Sequence, residues 1–356
     1  MQYLMMAVEI ISWIIGVIVT ASLCLWIGIA YRLVAMVREK ATIREGFLFP
    51  DPTSEVVSIV IPAHNEERVI DQCARSLRKQ SHKNIQIIFV LDRCTDKTLE
   101  ILQQHAKADD RITITENDHC PEGWTGKCNA ARLGAAQATG GWLLFTDADT
   151  QFDEQLVRCA VASAIKRGAG LLSILTTLTI TKPFEQIVQP IASIFLVRQY
   201  PVDRINREHR SRPFANGQFL LFSRSAYEKI GGHESVKGEL LEDIAFAKQI
   251  TQQSDERVQV LFADGMLKCS MYDTFATFRS GWIRIYIEAH NRNMKKLRKS
   301  ALTALVIGVL LPLAGIAGIF LGHFGFPSLY WVSLTSLVGF IFVIAWLYKI
   351  NGAPII

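Results

Sequence analysis

The segment that decides the fold is Gly-Gly-Trp-Leu-Leu-Phe-Thr-Asp-Ala-Asp, residues 140–149. The apolar run Trp142–Phe145 is typical of a buried strand, and it leads into the polar tripeptide Asp147-Ala148-Asp149. Residues i and i+2 of an extended chain point the same way, so both carboxylates are expected to face one site. Such a pair repels unless a cation lies nearby, and hard oxygen ligands suit Mg²⁺ or Mn²⁺. Many surface loops contain the same tripeptide, but its position after a strand favours metal binding.

Upstream of this segment, strand-like and helix-like stretches alternate. Short apolar runs predict strands, and helical spacing of apolar side chains predicts the helices between them. The predicted strands are Val56–Ile61, Ile85–Leu91, Ile112–Thr115 and Trp142–Phe145, and the predicted helices are Glu66–Lys79, Thr98–Ala106 and Asn129–Ala138. Strands that alternate with helices and are apolar on both faces predict an α/β domain with a mainly parallel, Rossmann-like sheet.

Polar residues follow three of the predicted strands. They are the loop Pro62-Ala63-His64-Asn65-Glu66, the single residue Asp92, and the pair Asp147 and Asp149. In parallel sheets ligands bind beyond the carboxyl ends of the strands, so these residues predict a nucleotide pocket. Asp96 is instead interpreted as a cap for the helix that begins near Thr98.

Two further segments are candidates for chemistry. Residues 123–129, Gly-Trp-Thr-Gly-Lys-Cys-Asn, open a helix, and their backbone N–H groups and Lys127 are suited to an anion. The spacing is not that of a Walker loop, and an ordinary turn is the alternative. Glu242-Asp243 begins the helix-like segment Leu241–Ile250. This pair is either a solvated first turn stabilised by the helix dipole or the source of a general base for an acceptor hydroxyl.

Three long apolar stretches predict membrane spans, at Ile10–Tyr31, Ala301–Phe320 and Leu329–Tyr348. No basic region precedes the first stretch, which favours an uncleaved span over a secretory signal. Basic residues flank the stretches on the side of the middle domain: Arg32, Arg38, Lys40, Arg44, Lys295, Lys296, Arg298, Lys299 and Lys349. This asymmetry predicts an integral protein of the plasma or inner membrane with a cytoplasmic catalytic domain.

The composition excludes other classes of protein. The formal net charge of +5 is concentrated in the flanks of the spans, which favours anionic headgroups as partners and argues against nucleic acid. The chain has an odd number of cysteines and no Cys-x-x-Cys pair, so neither a disulfide framework nor a structural zinc site is expected. The cysteines are Cys24, Cys73, Cys94, Cys120, Cys128, Cys159 and Cys269.

Two segments are amphipathic, one within the middle domain and one between it and the later spans. Pro183–Val197 is interpreted as a core helix or as a helix in the membrane interface, and Thr274–Leu297 mixes aromatic and basic residues in interfacial style. An arginine cluster between them either lines an acceptor headgroup or faces the membrane, and the membrane is favoured. Its members are Arg198, Arg204, Arg207, Arg210 and Arg212.

In order along the chain, from Val57 to about Trp282, these motifs resemble the inverting family 2 glycosyltransferases, which have the GT-A fold. The resemblance implies nucleotide binding by Pro62, His64, Glu66, Asp92, Lys127 and Asp147. It implies that Asp149, with Asp147, binds Mg²⁺ or Mn²⁺. It makes Glu242-Asp243 the catalytic pair, with Asp243 as the base. It places Asn216, Gly217, Gln218, Arg279 and Trp282 on the acceptor side.

The substrate class follows from a departure within the family. Processive polysaccharide synthases carry Gln-x-x-Arg-Trp, of which Phe278-Arg279-Ser280-Gly281-Trp282 keeps only part. The chain is more similar to the hopanoid-associated, carotenoid and ceramide glycosyltransferases, which put one sugar on one lipid. The resemblance therefore implies transfer of a single sugar from a nucleotide-sugar, with UDP favoured, to a membrane lipid. The alternatives are a processive synthase and a non-catalytic membrane protein that binds nucleotide-sugars.

The expected organisation has four parts. They are an N-terminal anchor at 1–36, a GT-A domain at 55–272, an interfacial region at 273–300 and two transmembrane helices at 301–349. The terminal residues Ala353-Pro354-Ile355-Ile356 are apolar and suited to beginning another span. The chain is therefore expected to be truncated relative to its relatives.

Overall fold

The computed structural model describes residues 2–38, 40–180, 182–199, 205–206, 213–253, 255–269, 274–290 and 292–350. The described residues fall into two compact units. The first, the helical unit, comprises the described parts of 1–39, 182–192 and 279–356. The second, the sheet unit, comprises the described parts of 40–181 and 193–278.

The sheet unit is built on a seven-stranded sheet in the order β3-β2-β1-β4-β8-β6-β9. Its strands are β1 (Val57–Ala63), β2 (Ile85–Asp92), β3 (Ile112–Asn117), β4 (Trp142–Phe145), β6 (Ala169–Leu175), β8 (Leu220–Ser223) and β9 (Arg257–Phe262). Strand β8 is antiparallel to both of its neighbours, and the other pairings are parallel. The predicted α/β domain with a mainly parallel sheet is confirmed.

Helices cover both faces of this sheet, as the apolar runs require. The helices of the sheet unit are α2 (Ile70–Arg78), α3 (Thr98–Ala108), α4 (Gly126–Gln137), α5 (Leu156–Arg167), α7 (Arg224–Lys229) and α8 (Glu242–Gln253). Two more helices, α6 (Pro183–Gln199) and α9 (Phe275–Ala289), are divided between the two units. Alternate residues of β1 enter different cores: Ile59 and Ile61 pack in one, and Val60 packs in the other. A strand buried on both faces needs apolar side chains at every position, which explains its unbroken run.

The carboxyl ends of β1, β2 and β4 meet at one edge because the three strands are parallel neighbours. Ala63 of β1 lies opposite Leu91 of β2, and Val60 lies opposite Phe145 of β4. The chain therefore leaves all three strands on the same side of the sheet, which brings their polar extensions together.

A smaller sheet of three strands, in the order β5-β10-β7, closes this edge. Its strands are β5 (Thr150–Phe152), β7 (Thr177–Leu178) and β10 (Leu267–Cys269). Strand β5 begins directly after Asp149, and the antiparallel register places Cys269 opposite Thr150. The thiol of Cys269 therefore arrives next to the acidic tripeptide from a distant part of the chain.

The helical unit contains three helices long and apolar enough to cross a membrane, at residues 6–35, 294–323 and 327–350. They lie in α1 (Gln2–Arg38), in a continuous run of α10 (Met294–Leu305), a π-helical turn (Val306–Leu310) and α11 (Leu311–His323), and in α12 (Pro327–Ile350). Helices α1 and α12 are joined by a polar contact, since Ser336 Oγ lies 3.1 Å from Ser22 Oγ. All three predicted spans are thus found as helices, each longer than its apolar run.

Candidate active site

A cleft of about 230 Å³ lies at the carboxyl ends of β1, β2 and β4. Its lining combines residues from the three strand extensions with the first turn of α4. The lining residues are Pro62, Ala63, His64, Glu66, Asp92, Gly126, Lys127, Ala130, Asp147, Ala148 and Asp149. All six residues for which the sequence implied nucleotide binding, and both for which it implied metal binding, are among them.

The loop after β1 is shaped by Asn65, which has a left-handed backbone with φ of 56°. Asparagine tolerates this conformation, and its Oδ1 accepts a hydrogen bond from the N–H of Thr95 at 2.8 Å. His64 Nδ1 lies 2.5 Å from the backbone oxygen of Asp92. Burial, followed by the negative charges of Asp149 and Asp147, raises the pKa of Glu66 to about 7. The loop thus brings a carboxyl group with an unusually high pKa into the cleft.

Asp92 is almost fully buried, at 4% exposure, at the end of β2. Its carboxylate accepts hydrogen bonds from Arg93 Nη2 at 2.6 Å and from Asn117 Nδ2 at 2.8 Å. A Cβ at Gly126 would lie only 2.5 Å from Asp92 Oδ2, so helix α4 begins in direct contact with this carboxylate. Asp96, by contrast, accepts hydrogen bonds from the N–H and Oγ1 of Thr98, in agreement with the predicted cap.

Lys127 lies in the first turn of α4, where Thr125 caps the helix by accepting a hydrogen bond from the N–H of Cys128. Its ammonium group bridges two carboxylates, at 2.7 Å from Asp147 Oδ1 and 2.8 Å from Glu242 Oε1. Desolvation lowers the pKa of Lys127, but the charges of Asp147 and Glu242 outweigh it and hold the pKa well above its usual range. The lysine therefore stays positively charged and links Asp147, beyond strand β4, to Glu242, at the start of the segment Glu242–Gln253.

The two carboxylates of the acidic tripeptide both line the cleft, although Ala148 and Asp149 lie in a turn and not in the extended chain that the sequence predicted. Asp149 Oδ2 accepts a hydrogen bond from the thiol of Cys269 at 3.3 Å. Asp149 Oδ1 is buried and has no hydrogen-bond partner in the described part of the chain. Burial and then the charge of Asp147 raise the pKa of Asp149 to about 6. A buried carboxylate oxygen without a partner is expected to receive a ligand.

The donor set fits a divalent cation that binds substrate phosphates. The described residues contain no group of three or more His, Cys, Asp or Glu side chains arranged to hold a metal by themselves. Mg²⁺ and similar ions usually take one or two protein carboxylates and complete their shell with phosphate oxygens and water. Asp149, with its unpartnered oxygen, and Asp147 match that pattern.

The pair Glu242-Asp243 begins helix α8 and approaches the site beside Gly217. Asp243 Oδ2 accepts a hydrogen bond from the N–H of Gly217 at 2.8 Å, and its Oδ1 accepts one from the N–H of Ile244 at 2.7 Å. A Cβ at Gly217 would lie 3.2 Å from Lys127 Nζ, 3.3 Å from Asp243 Oδ2 and 3.4 Å from Glu242 Oε1. The absence of a side chain at Gly217 thus leaves room for Lys127, Glu242 and Asp243 around it.

Asp243 has the electrostatics of a general base. Burial and then the charge of Glu242 raise its pKa to about 7. A base whose pKa lies near the working pH combines a deprotonated resting state with appreciable basicity. Asp243 therefore lies next to Glu242, which pairs with the lysine that lines the cleft, and has a pKa suited to accepting a proton.

Other residues expected on the acceptor side form hydrogen bonds within the protein. Asn216 Nδ2 donates to the backbone oxygen of Ile174 at 2.9 Å. Gln218 is 6% exposed, and its Nε2 donates to Cys269 Sγ at 2.9 Å. Arg279 and Trp282 belong to the helical unit, where Trp282 Nε1 donates to Gln189 Oε1 at 3.3 Å. The acceptor-side role of these residues stays a prediction.

Some expectations fall outside the described residues. Arg204, Arg207, Arg210 and Arg212 do so, as do the side chain of Arg198 and the terminal residues 353–356.

Sequence reasoning missed three residues that contact the site: Arg93, Asn117 and Cys269. The pairing of β2 with β3 sets Asn117 opposite Asp92, so a register prediction could have found it. Arg93 has a left-handed backbone, with φ of 51°, which turns its guanidinium back onto the preceding aspartate. Nothing in the sequence near Cys269 indicates its contact with Asp149, because the two residues are 120 positions apart.

Comparisons with known proteins agree with this geometry. Residues 58–231 match the family model described as glycosyl transferase family 2. A 4,4'-diaponeurosporenoate glycosyltransferase of Staphylococcus haemolyticus (strain JCSC1435) is 25% identical over 235 residues, which cover 65% of this chain and 61% of the relative. The enzyme of the same name from Staphylococcus aureus (strain USA300) is 26% identical over 274 residues, covering 74% of this chain and 68% of the relative.

Among solved structures, the chain is similar to the mannosyltransferase PcManGT from Pyrobaculum calidifontis in complex with GDP-Man and Mn²⁺. The TM-score is 0.50 at 14% sequence identity, covering 93% of this chain and 99% of the other. At this identity the likeness concerns the fold alone. The resemblance to family 2 glycosyltransferases with a GT-A fold, and to carotenoid glycosyltransferases in particular, is confirmed.

Proposed function

We propose that the protein is an inverting glycosyltransferase that transfers one sugar from a nucleotide-sugar, with UDP as the nucleotide, to a membrane lipid. The observation that carries this proposal is the convergence of Asp92, Lys127, Asp147 and Asp149 on one cleft, with Glu242, the neighbour of Asp243, paired with the same lysine. Acidic groups from distant parts of the chain are costly to gather unless a cationic or proton-transfer function uses them.

The donor would bind with its base at Asp92 and its diphosphate near Lys127. Asp92 is buried beside Arg93 and Asn117, so the pocket presents acceptors and donors together, as recognition of a base needs. The cation of Lys127 and the backbone N–H groups at the start of α4 favour a diphosphate. Asp149 and Asp147 would hold Mg²⁺ or Mn²⁺, which supplies charge neutralisation for the leaving diphosphate.

In the transfer step the acceptor hydroxyl would give its proton to the carboxylate of Asp243. The acceptor oxygen forms a bond to the anomeric carbon as the bond between that carbon and the diphosphate oxygen breaks. The bonding electrons leave with the diphosphate, and the configuration at the anomeric carbon inverts. Two backbone N–H groups hold Asp243 in a fixed orientation, which favours proton transfer along one direction.

The three apolar helices support a lipid acceptor and attachment to a membrane. The positive flanks of these helices favour an orientation with the catalytic domain in the cytoplasm. We assign residues 1–36 to an anchor, 55–272 to the GT-A domain, 273–300 to an interfacial region and 301–349 to two spans. The two Staphylococcus relatives, named for 4,4'-diaponeurosporenoate, support an acceptor from the lipid phase.

The test is release of UDP by the purified full chain from a panel of nucleotide-sugars, with and without native lipid extract, with Mn²⁺ present. Lipid-stimulated release of UDP, with a lipid product one sugar heavier by mass spectrometry, is the expected result. A ladder of oligomers would show a processive synthase instead. Binding of the nucleotide-sugar without turnover would indicate a non-catalytic protein.

Asp243→Asn should lower transfer by at least about 100-fold, because the amide cannot accept the proton, and leave UDP binding within about twofold. The matched control is Asp255→Asn, which changes an exposed aspartate after α8 and should transfer at the rate of the unsubstituted protein. Transfer by Asp243→Asn at the rate of the control would disprove the assignment of the base.

A further inference from the structure

A buried chain of polar side chains leads from strand β6 to the carboxylate of Asp149. Asn216 Nδ2 lies 3.3 Å from Gln218 Oε1, Gln218 Nε2 lies 2.9 Å from Cys269 Sγ, and Cys269 Sγ lies 3.3 Å from Asp149 Oδ2. Cys269 is 1% exposed and Gln218 is 6% exposed, so bulk water does not compete for these contacts. The chain ends on the carboxylate whose other oxygen has no partner in the described part of the protein.

The direction of every hydrogen bond in this chain follows from its first member. The backbone oxygen of Ile174 can only accept, so the group of Asn216 that faces it at 2.9 Å is the amide nitrogen. The same nitrogen faces Gln218, which must therefore present its oxygen to Asn216 and its nitrogen to the sulfur. The sulfur of Cys269 accepts that hydrogen bond and is left with its own S–H to donate, and Asp149 Oδ2 is the acceptor in reach.

We propose that Cys269 is a positioning residue that orients Asp149 for the divalent cation, with Gln218 fixing the direction of the thiol. This proposal rests on the proposed function, because it assigns the cation to Asp149. One oxygen of the carboxylate is held by the thiol, and the other is directed into the cleft. Asp149 does not then have to be ordered when the cation and the diphosphate arrive, and partners of this kind raise metal affinity.

The small sheet explains how the thiol reaches this place. Cys269 lies opposite Thr150 in the antiparallel pair of β10 and β5, one residue away from Asp149 along the chain. Thr150 Oγ1 also donates to the backbone oxygen of Asp147 at 2.7 Å, which fixes the tripeptide from its other side. Backbone pairing and side-chain contacts thus restrain the same carboxylate.

The competing interpretation is that Cys269 merely fills space in the core. The two interpretations differ in what they predict for metal binding, as opposed to stability. A space-filling thiol replaced by alanine lowers the melting temperature and leaves the affinity for the cation unchanged. If the thiol positions Asp149, its replacement by alanine lowers the affinity for the cation even where the protein remains folded.

The experiment measures the Kd of Mn²⁺ for the full chain in detergent with UDP present, by the loss of the free Mn²⁺ signal in electron paramagnetic resonance. Cys269→Ala should weaken Mn²⁺ binding by at least about tenfold, the usual loss for such partners. Cys269→Ser keeps a donor at the same position and should recover most of that affinity. Gln218→Met removes the amide that directs the thiol and should give a smaller loss.

The matched control is Cys159→Ala, which removes another fully buried thiol, in helix α5 beside Arg158 and Gly46, and should leave the Kd unchanged. Melting temperatures without Mn²⁺ identify variants that fail to fold, and Gln218→Met carries the comparison if Cys269→Ala is among them. A Cys269→Ala protein that is folded and binds Mn²⁺ as tightly as the unsubstituted chain would overturn the positioning role. Absence of Mn²⁺ binding by the unsubstituted chain would overturn the metal assignment, and the positioning role with it.

Discussion

The raised pKa of Asp243 predicts how the rate of transfer depends on pH. With a pKa of about 7, roughly a tenth of the carboxylate is deprotonated one pH unit below that value and roughly nine tenths one unit above it. The base must be deprotonated to accept a proton, so the rate at pH 6 should be about tenfold below its plateau. The assay is the initial rate of UDP release from pH 5.5 to 8.5 with donor, lipid and Mn²⁺ saturating.

The pH at which the rate of transfer falls on the acid side, the acid limb of the profile, should depend on Glu242. Burial is the larger cause of the raised pKa of Asp243, and the negative charge of Glu242 adds to it. Glu242→Gln removes that charge, which makes the ionised form of Asp243 less costly and lowers its pKa. The limb should therefore move to lower pH in this variant.

Glu66 has a similar raised pKa and provides the control. Saturation with Mn²⁺ holds the carboxylates of the metal site deprotonated, so they do not contribute to the limb. In Glu66→Gln the limb should stay where it is in the unsubstituted protein, whatever the height of the plateau. A rate that is flat between pH 6 and 8, or a limb that moves in Glu66→Gln and not in Glu242→Gln, would refute the assignment of the titrating group to Asp243.

Two further predictions concern the donor pocket. Lys127→Met should lower the affinity for UDP by about tenfold in a fluorescence titration, because a charged hydrogen-bond donor to the diphosphate is lost. Lys237→Met, which changes an exposed lysine paired with Glu234, is its control, and equal UDP affinity in both variants would contradict the role of Lys127. Gly126→Ala should also lower the affinity for UDP, since the added Cβ would lie 2.5 Å from Asp92 Oδ2 and displace that carboxylate. Gly141→Ala, whose nearest neighbouring atom is 4.0 Å away, should bind UDP normally, and a normal Gly126→Ala would show that Asp92 is not a contact.

Elements with a strong local signal could be predicted from the sequence. The strand Trp142–Phe145 has the predicted bounds, because two glycines precede it and polar residues follow it. The helix predicted from Glu66 begins at Ile70 instead. Residues 66–69 form a turn closed by the N–H groups of Val69 and Ile70 on the oxygen of Glu66, and Asn65 precedes it with a left-handed backbone. Apolar spacing does not detect such a turn, since it is set by backbone conformation.

The membrane helices show a different limit of sequence reasoning. Hydropathy locates the part of a helix that fits the hydrocarbon layer, so Ile10–Tyr31 was predicted where the helix Gln2–Arg38 is found. The flanking segments include the charged residues Glu9, Arg32 and Arg38 and remain helical, because straight-chain residues such as Gln, Met and Arg favour the helix. The predicted stretch is therefore contained in the helix and cannot define its ends.

The site itself was predictable from local signals at the strand ends and at the Gly-flanked start of α4, which carries Lys127. A parallel sheet brings the residues after its strands together, and Asp92, Asp147 and Asp149 could be placed by that rule alone. Asp243 required the family resemblance, because it begins a helix rather than following a strand. Cys269 could not be placed by either route, since a three-residue strand has no pattern of its own and its partner β5 is equally short.

An excess of negative charge links these residues physically. Besides Asp92, five carboxyl groups line the cleft or interact with Lys127: Glu66, Asp147, Asp149, Glu242 and Asp243. The negative charge of Asp92 is already paired with Arg93. In the described part of the site, Lys127 is the cation that faces the other five carboxyl groups. Burial acts on Glu66, Asp149 and Asp243 first, and neighbouring carboxylates add to it, so the pKa of each is raised. A divalent cation at Asp149 would remove part of this excess, which is the physical reason to expect the donor diphosphate and the cation to bind together.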